Sequence, residues 1–229
     1  MQFFDTKIIK IVQETSDTWS FQLEIPENME WTAGQHAIFR LPDAKLNEGD
    51  KPQRVFSVAS AMEDGFIQFT TRIADPHSSY KENLLQAKVG DMVQMTQPTG
   101  SFTLHEDTER SVVIAGGIGI TPIRSILRHW QHHNRPEHLI TVYYSDDRGE
   151  FAYKEAFEQI QGAMDNLDFH YISDRNEFME KVNSYAKEHQ NKAEYLVAGS
   201  PGMNRAFSET LEKLGIEKDN IKLDNFVGY

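Results

Sequence analysis

Two glycine-rich segments in the second half of the chain have the composition of loops that bind phosphate groups. They are Gly116-Gly117-Ile118-Gly119-Ile120-Thr121-Pro122 and Gly199-Ser200-Pro201-Gly202-Met203. Glycine lets a backbone approach a ligand closely, and the first turn of a helix offers free N–H groups to an anion. Pro122 stands where a full G-x-G-x-x-G motif has its third glycine, so the first loop alone is equally compatible with a simple turn.

A third candidate site lies in the first half of the chain, at Arg54-Val55-Phe56-Ser57. These residue types could clamp a phosphate, stack on a planar ring and donate a hydrogen bond. An edge strand without any ligand can carry the same residues, so their types alone leave both interpretations open.

Two other chemistries are disfavoured. The segment Ala198-x-Ser200-x-Gly202 loosely resembles a hydrolase nucleophile elbow, but no histidine follows His189, which excludes a triad in the usual order. His129 and His133 lie four residues apart, on one face of a predicted helix. No glutamate completes the helical zinc motif there, so we interpret them as solvated surface and predict no metal.

The chain has no cysteine, which excludes disulfides, thiolate zinc sites and cysteine-ligated iron–sulfur clusters within it.

The first half of the chain has the pattern of an antiparallel β-structure. Short apolar or alternating runs are separated by turn residues, and one helix is predicted over 79–87. The predicted strands are 7–12, 19–25, 36–41, 54–59, 66–73 and 92–97. Six short strands at this spacing favour an antiparallel barrel or sandwich.

The second half alternates apolar strands with helices, which is typical of a doubly wound parallel sheet. The predicted strands are 111–115, 139–144, 167–172, 194–198 and 220–223, and the predicted helices are 122–133, 150–162, 176–189 and 201–214. We place the domain boundary between His105 and Arg110 and divide the chain into domains 1–106 and 107–229. Ligands of such sheets bind beyond the carboxyl ends of the strands, where both glycine-rich loops lie.

The charge balance restricts the partners. The 229 residues include 23 Lys and Arg against 35 Asp and Glu, a net charge of −12. This charge disfavours binding to nucleic acid or to anionic lipid. The first residues lack the layout of a signal peptide, and no apolar run approaches the roughly 20 residues that span a bilayer. We therefore expect a cytoplasmic protein that acts without a membrane, and the residues indicate no particular oligomeric state.

Taken together and in order, the motifs resemble the ferredoxin–NADP reductase superfamily over nearly the whole chain. They are Arg54-x-Phe56-Ser57, Arg72, Ser78-Ser79, Gly90-Asp91, Pro98-x-Gly100-x-Phe102, Gly116-Gly117-x-Gly119-Ile120-Thr121-Pro122, Gly199-Ser200-Pro201-Gly202-Met203 and the aromatic end Phe226-Val227-Gly228-Tyr229. The resemblance implies a six-stranded antiparallel flavin-binding barrel followed by a nicotinamide-nucleotide-binding α/β domain, which is the division that the patterns indicate.

The resemblance also implies roles on the flavin side. Arg54, within Arg54-Val55-Phe56-Ser57, would hold the FAD pyrophosphate, Phe56 would stack beside the ring, and Ser57 would hydrogen-bond near flavin N5. The family usually has tyrosine at the position of Phe56, so a hydroxyl contact is missing here. Other implied flavin contacts are the backbone at Arg72, Ile73 and Ala74, the helix start at Ser78, Ser79 and Tyr80, and an aromatic cover from Phe226 or Tyr229.

On the nucleotide side, the resemblance implies contacts from both glycine-rich loops. These are Gly117, Gly119 and Thr121 from the first loop and Gly199, Pro201 and Met203 from the second. Many members carry cysteine where this chain has Ala198. The candidates for reading a 2′-phosphate are Arg148 and the pair Ser173 and Arg175; carboxylates beside Arg148 lead us to favour NADH over NADPH.

The implied activity is hydride transfer from NADH or NADPH to bound FAD, followed by electron transfer to an acceptor outside the chain. That acceptor would be a ferredoxin or flavodoxin, a partner subunit or a small oxidant. The alternative is a non-catalytic flavin- and nucleotide-binding subunit of a larger redox assembly.

Overall fold

Six antiparallel strands and one helix form the first half of the molecule. The computed structural model describes residues 1–104, 108–133 and 135–224. The elements of the first half are β1 (Phe4–Gln13), β2 (Thr18–Leu23), β3 (His36–Arg40), β4 (Gln53–Ser57), β5 (Ile67–Arg72), α1 (Ser79–Gln86) and β6 (Met92–Met95).

The six strands form one curled sheet in the order β4-β3-β6-β1-β2-β5. Its two end strands meet, because the ring of Phe56 on β4 stacks on the ring of Phe69 on β5 with centroids 5.0 Å apart. Phe21, Phe39 and Leu84 fill the interior and are almost fully buried. This closed arrangement confirms the predicted antiparallel barrel.

The second half is a five-stranded parallel sheet in the order β11-β10-β7-β8-β9. Its elements are β7 (Arg110–Gly116), α2 (Thr121–His133), β8 (Leu139–Ser145), α3 (Lys154–Ala163), β9 (Leu167–Ile172), α4 (Arg175–His189), β10 (Glu194–Ala198), α5 (Pro201–Lys213) and β11 (Ile221–Leu223). The predicted doubly wound sheet is confirmed.

Both faces of this sheet are covered, as the continuous apolar run of β7 requires. Val113 and Ala115 point to a core shared with α2 and α3. Val112 and Ile114 point to a second core shared with α4 and α5. The central strand therefore contributes alternate side chains to two separate cores.

Helix α3 begins later than its sequence pattern suggests, at Lys154. Tyr153 immediately before it has φ of 61°, a left-handed conformation that ends the preceding loop. This turn buries the Tyr153 ring, and its hydroxyl donates a hydrogen bond to Thr70 on β5. A contact between the halves, which no local pattern contains, fixes the helix start.

Helix α2 is one of the elements that hold the two halves together. Arg124 Nη1 and Ser125 Oγ each donate to a first-half backbone carbonyl, of Ala59 and Ser60 respectively, at 2.7 Å. Ala59 and Phe102 also belong to the core that α2 covers. The predicted boundary between residues 106 and 107 lies outside the described residues, so the exact division stays a prediction.

Candidate functional site: a cleft between the barrel and the parallel sheet

A cleft of about 1310 Å³ opens between the barrel and the carboxyl edge of the parallel sheet. Strand β4 lines it on the barrel side, and the loops after β7, β8 and β10 line it on the other side. The position follows from the strand order. From β7 the chain continues to β8 on one side of the sheet, and from β10 it continues to β11 on the other side, so the connections diverge between β7 and β10 and leave a crevice there.

Most of the predicted site residues line this cleft. They are Arg54, Val55, Phe56, Ser57, Arg72, Ala74, Ser78, Gly117, Thr121, Arg148, Arg175 and Met203. Seven others do not line it: Ile73, Ser79, Tyr80, Gly119, Ser173, Gly199 and Pro201. Phe226 and Tyr229 lie outside the described residues.

Strand β4 presents its functional side chains at the end of the barrel. Ser57 is 5% exposed and reaches the cleft at the last position of the strand. One face of the Phe56 ring is covered by Phe69, while the residue stays half-buried at the cleft. The Arg54 guanidinium lies over the Tyr80 ring, 5.0 Å from its centroid. A planar ligand at this strand end would meet an aromatic side chain, a hydroxyl and a cation.

Three donors beside β4 converge on one carboxylate. Ser79 Oγ donates to Asp50 Oδ2 at 2.7 Å and the Tyr80 backbone N–H donates to the same atom at 3.1 Å. The Arg54 guanidinium donates to Asp50 Oδ1. We call these three donors the anion cradle. The Ser79 hydrogen bond, assisted by those from Arg54 and Tyr80, holds the pKa of Asp50 well below its usual range.

The sequence interpretation missed Asp50, although it found the three residues of the anion cradle; a fourth donor to Asp50 is the backbone N–H of Lys51, at 2.9 Å from Oδ1. The available signal was its position four residues before Arg54, with an intervening lysine. Asn47 also reaches this helix start, since its backbone N–H donates to Ser79 Oγ at 2.9 Å. A carboxylate therefore occupies the place at the α1 N-terminus that the resemblance assigns to a phosphate.

On the opposite side, the two glycine-rich loops pack against each other. A Cβ atom on Gly119 would lie 2.2 Å from the Ala198 carbonyl oxygen, so no larger residue fits there. A Cβ on Gly116 or on Gly199 would lie 2.4 Å from the Met203 sulfur. Close packing against backbone therefore explains Gly119, whereas the flexible Met203 side chain could move to admit a Cβ at Gly116 or Gly199. Gly117 and Met203 face the cleft.

Charged groups surround the nucleotide side of the cleft. Asp146, Asp147, Arg148 and Arg175 all line it. Arg148 is not directed at the cleft alone, because its guanidinium donates two hydrogen bonds to Asp17 of the barrel. Burial acts to raise the pKa of Asp17, but hydrogen bonds from Arg148 and Arg72 outweigh it and lower that pKa. Ser173, the predicted companion of Arg175, is exposed and lies off the cleft.

Asp224 is a further cleft residue that sequence reasoning missed. It follows β11, is 6% exposed and lines the cleft. Burial raises its pKa to about 7. A lone acid after a short strand gives no signal of this burial. In the structure its backbone N–H donates to the Val197 carbonyl oxygen of β10 at 2.9 Å.

Part of the chain matches a known domain family, and curated relatives match most of it. Residues 113–209 match the family described as Oxidoreductase NAD-binding domain. The subunit designated F of the Na⁺-translocating NADH-quinone reductase of Mannheimia succiniciproducens is 33% identical over 202 residues, covering 76% of this chain and 49% of the relative. Its counterpart in Yersinia enterocolitica is 28% identical over 244 residues, covering 96% and 59%. The chain thus spans about half the length of the curated relatives it matches.

Solved structures share the fold over almost the whole chain. Ferredoxin-NADP⁺ reductase from Plasmodium falciparum with 2′P-AMP has a TM-score of 0.80 at 17% identity, covering 98% of this chain and 97% of that one. The ferredoxin reductase in carbazole 1,9a-dioxygenase has 0.79 at 20%, covering 99% and 70%. Flavohemoglobin from Malassezia yamatoensis, with bound FAD and heme, has 0.80 at 18%, covering 99% and 61%.

The relatives overturn one expectation, that of a protein acting without a membrane. They are subunits of a Na⁺-translocating enzyme, and an ion is translocated across a membrane. The acidic charge argued only against adhesion to anionic lipid, and it says nothing against assembly with other protein subunits. Within the described ranges, no helix is both long and apolar enough to cross a bilayer.

Proposed function

We propose that the chain, which resembles the ferredoxin–NADP reductase superfamily in its motifs and its fold, is an FAD-containing oxidoreductase that oxidises NADH and passes the electrons to an external acceptor. One observation carries the proposal: the predicted flavin strand β4 and both predicted nucleotide loops open onto a single cleft. We propose the division that the sequence suggests, with residues 1–106 holding the flavin and 107–229 the nucleotide.

The anion cradle is the structural support for FAD. Its guanidinium, hydroxyl and helix N–H already bind a carboxylate, so their chemistry fits a pyrophosphate. Bound FAD would supply a ring that accepts a hydride and releases electrons singly or in pairs. In this proposal Arg54, Ser79 and the Tyr80 N–H bind the pyrophosphate, and their hydrogen bonds to the Asp50 carboxylate are broken. Phe56 packs beside the ring, and the Ser57 hydroxyl orients it by a hydrogen bond.

The loops after β7 and β10 would bind the dinucleotide, through Gly117, Thr121 and Met203 at the cleft. We favour NADH, because Asp146 and Asp147 line the same cleft and would repel a 2′-phosphate dianion. The pairing of Arg148 with Asp17 supports this choice, since it engages a cation that such a phosphate would need. The names of the relatives, which are NADH-quinone reductases, agree with it.

The acceptor lies outside this chain in our proposal, because without cysteine the chain cannot ligate an iron–sulfur cluster through thiolates. By analogy with the relatives, which are subunits, we place a redox partner of a membrane-associated assembly first. A ferredoxin, a flavodoxin and a small oxidant are the other acceptors to screen. The cytoplasmic location expected from the sequence stays a prediction.

The test is an anaerobic titration of the FAD-loaded protein with NADH and, separately, with NADPH. We expect NADH to bleach the visible flavin absorption at one equivalent and NADPH to do so more slowly. Bound flavin that neither nucleotide reduces would contradict the proposal and favour the non-catalytic subunit. Failure to bind FAD at all would refute both. Ser101→Ala, an exposed hydroxyl change away from the cleft, is the control variant and should behave as wild type.

A further inference from the structure

Two histidines and a glutamate meet at the junction of the two halves, away from the cleft. Glu63 belongs to the short 3-10 turn Met62–Asp64 of the barrel, and His129 and His133 lie on α2. His129 Nδ1 is 2.8 Å and His133 Nε2 is 2.6 Å from the same atom, Glu63 Oε1. None of the three lines the cleft. We call this set the Glu63 cluster.

The backbone under the Glu63 cluster is fixed on both sides. Asp64, next to Glu63, is 3% exposed at its side chain and pairs with Arg124 at 3.2 Å and Arg128 at 2.8 Å. Its other role is local, because Asp64 Oδ2 accepts the Ala61 backbone N–H at 3.0 Å. The turn is thus tied to the same helix that carries both histidines, one helical turn apart.

The histidine spacing directs both imidazoles to one point, since residues four apart share a helix face. The two rings lie 4.2 Å apart between centroids. The three nitrogen and oxygen atoms lie within 4.8 Å of one another. Two imidazole nitrogens and one carboxylate oxygen are a ligand set that suits Zn²⁺, Ni²⁺ or Cu²⁺ and disfavours Mg²⁺ and Ca²⁺, which prefer oxygen alone.

We propose that the Glu63 cluster binds one divalent transition-metal ion, for which Zn²⁺ is the representative, and that this ion links the barrel to the nucleotide-binding half. Three protein ligands leave at least one coordination position for water. Since the ion would be held by residues of both halves, its binding stabilises their association in proportion to its occupancy.

Little movement is needed to admit the ion. Around a tetrahedral zinc with bonds of about 2.0–2.1 Å, ligand atoms lie roughly 3.3 Å apart. The carboxylate oxygen and the two nitrogens are now 2.6 and 2.8 Å apart, bridged by hydrogen bonds. Small rotations of these partly exposed side chains open the set, while the ion pairs of Asp64 keep the backbone in place.

Calorimetric titration of the full chain with ZnCl₂ tests the site. We expect wild type to bind one equivalent more than each of Glu63→Gln, His129→Gln and His133→Gln, or to bind that equivalent at least tenfold more tightly. His132→Gln is the matched control, because His132 lies on the same helix and outside the Glu63 cluster. It should retain the wild-type stoichiometry.

A second measurement covers any variant that folds poorly. Zinc should raise the thermal midpoint of wild type and of His132→Gln but leave that of Glu63→Gln unchanged, while excess MgCl₂ should raise none of them. Equal zinc stoichiometry, affinity and thermal shift in wild type and all three cluster variants would overturn the proposal. Neither readout depends on flavin or NADH, so the result is independent of the proposed oxidoreductase activity.

Discussion

Asp17 accepts two hydrogen bonds from Arg148, at 2.9 and 3.1 Å, although 131 residues separate the two along the chain. The same carboxylate accepts a hydrogen bond from Arg72 Nε at 2.8 Å. Asp17 lies in the turn between β1 and β2, so a residue of the barrel engages the cation that follows β8. This arrangement links the proposed nucleotide preference to a residue outside the nucleotide-binding half.

The first prediction concerns that preference. Asp17→Asn should release Arg148 and raise the ratio of kcat/KM for NADPH over NADH by about tenfold, the equivalent of one charge-assisted hydrogen bond. Steady-state kinetics with both nucleotides measure it. Glu150→Gln is the charge control: it removes a carboxylate that binds Ser16 and lies 3.9 Å from Arg148 Nη1 but keeps the Asp17–Arg148 pair, so the ratio should change far less. An unchanged NADPH-to-NADH ratio of kcat/KM in Asp17→Asn would show that Arg148 does not contact the 2′ position of the bound nucleotide.

The second prediction concerns Asp50, which competes for the anion cradle. Asp50→Asn should tighten FAD binding by roughly fivefold, because the pyrophosphate then meets neither a competing carboxylate nor its charge. Fluorescence titration of the flavin gives the dissociation constant. Glu48→Gln changes an exposed charge in the same loop and should leave the constant unchanged. Weaker FAD binding by Asp50→Asn would mean that the carboxylate organises the cradle instead of competing for it.

The third prediction concerns Ser57, the buried hydroxyl at the end of β4. Ser57→Ala should slow anaerobic reduction of the bound flavin by NADH at least about tenfold, since an oriented hydrogen bond at the reacting ring is lost. The FAD dissociation constant should hardly change. Stopped-flow absorbance separates the two quantities. A wild-type rate with intact binding would remove Ser57 from the reaction.

The fourth prediction is a pH dependence set by Asp224. Because burial raises its pKa from 3.8 to about 7, the folded protein holds a proton that the unfolded chain releases. Its contribution to stability is therefore complete below about pH 4 and is lost as the pH rises to about 7.

Denaturant unfolding at pH 5 and pH 8 checks this dependence. Relative to wild type, Asp224→Asn should be more stable at pH 8 than at pH 5, by up to a few kcal/mol. The comparison cancels the other groups that titrate in this range. A difference between the two proteins that does not vary with pH would show that the Asp224 carboxyl is solvated.

Hydrophobic periodicity was sufficient to locate the helices and strands, because each is either half-buried or buried on both faces. The alternation in β2 and the continuous run of β7 give different signals for the barrel and for the parallel sheet. Periodicity missed the start of α3, since Tyr153 adopts a left-handed conformation in order to bury its ring against the barrel. That preference comes from a residue 83 positions away and not from its neighbours.

The candidate site was predictable where it rests on local motifs and missed where it rests on contacts between distant residues. Arg54, Phe56 and Ser57 stand together in the sequence, and the structure places them together at the cleft. Asp50 was missed because its interaction with the α1 N-terminus depends on a loop that folds back. Glu63 was missed because 66 residues separate it from His129, so neither histidine carried a visible third ligand.

Strand β11, the last described strand, also contacts the residues that precede the second half. Lys222 on β11 pairs with the buried carboxylate of Glu194 at 2.7 Å and donates a hydrogen bond to the backbone carbonyl of Thr103. Truncating Lys222 would remove both the ion pair to the buried Glu194 carboxylate and the hydrogen bond to the Thr103 carbonyl. A substitution on β11, at the edge of the parallel sheet, would therefore also alter how the barrel packs against that sheet.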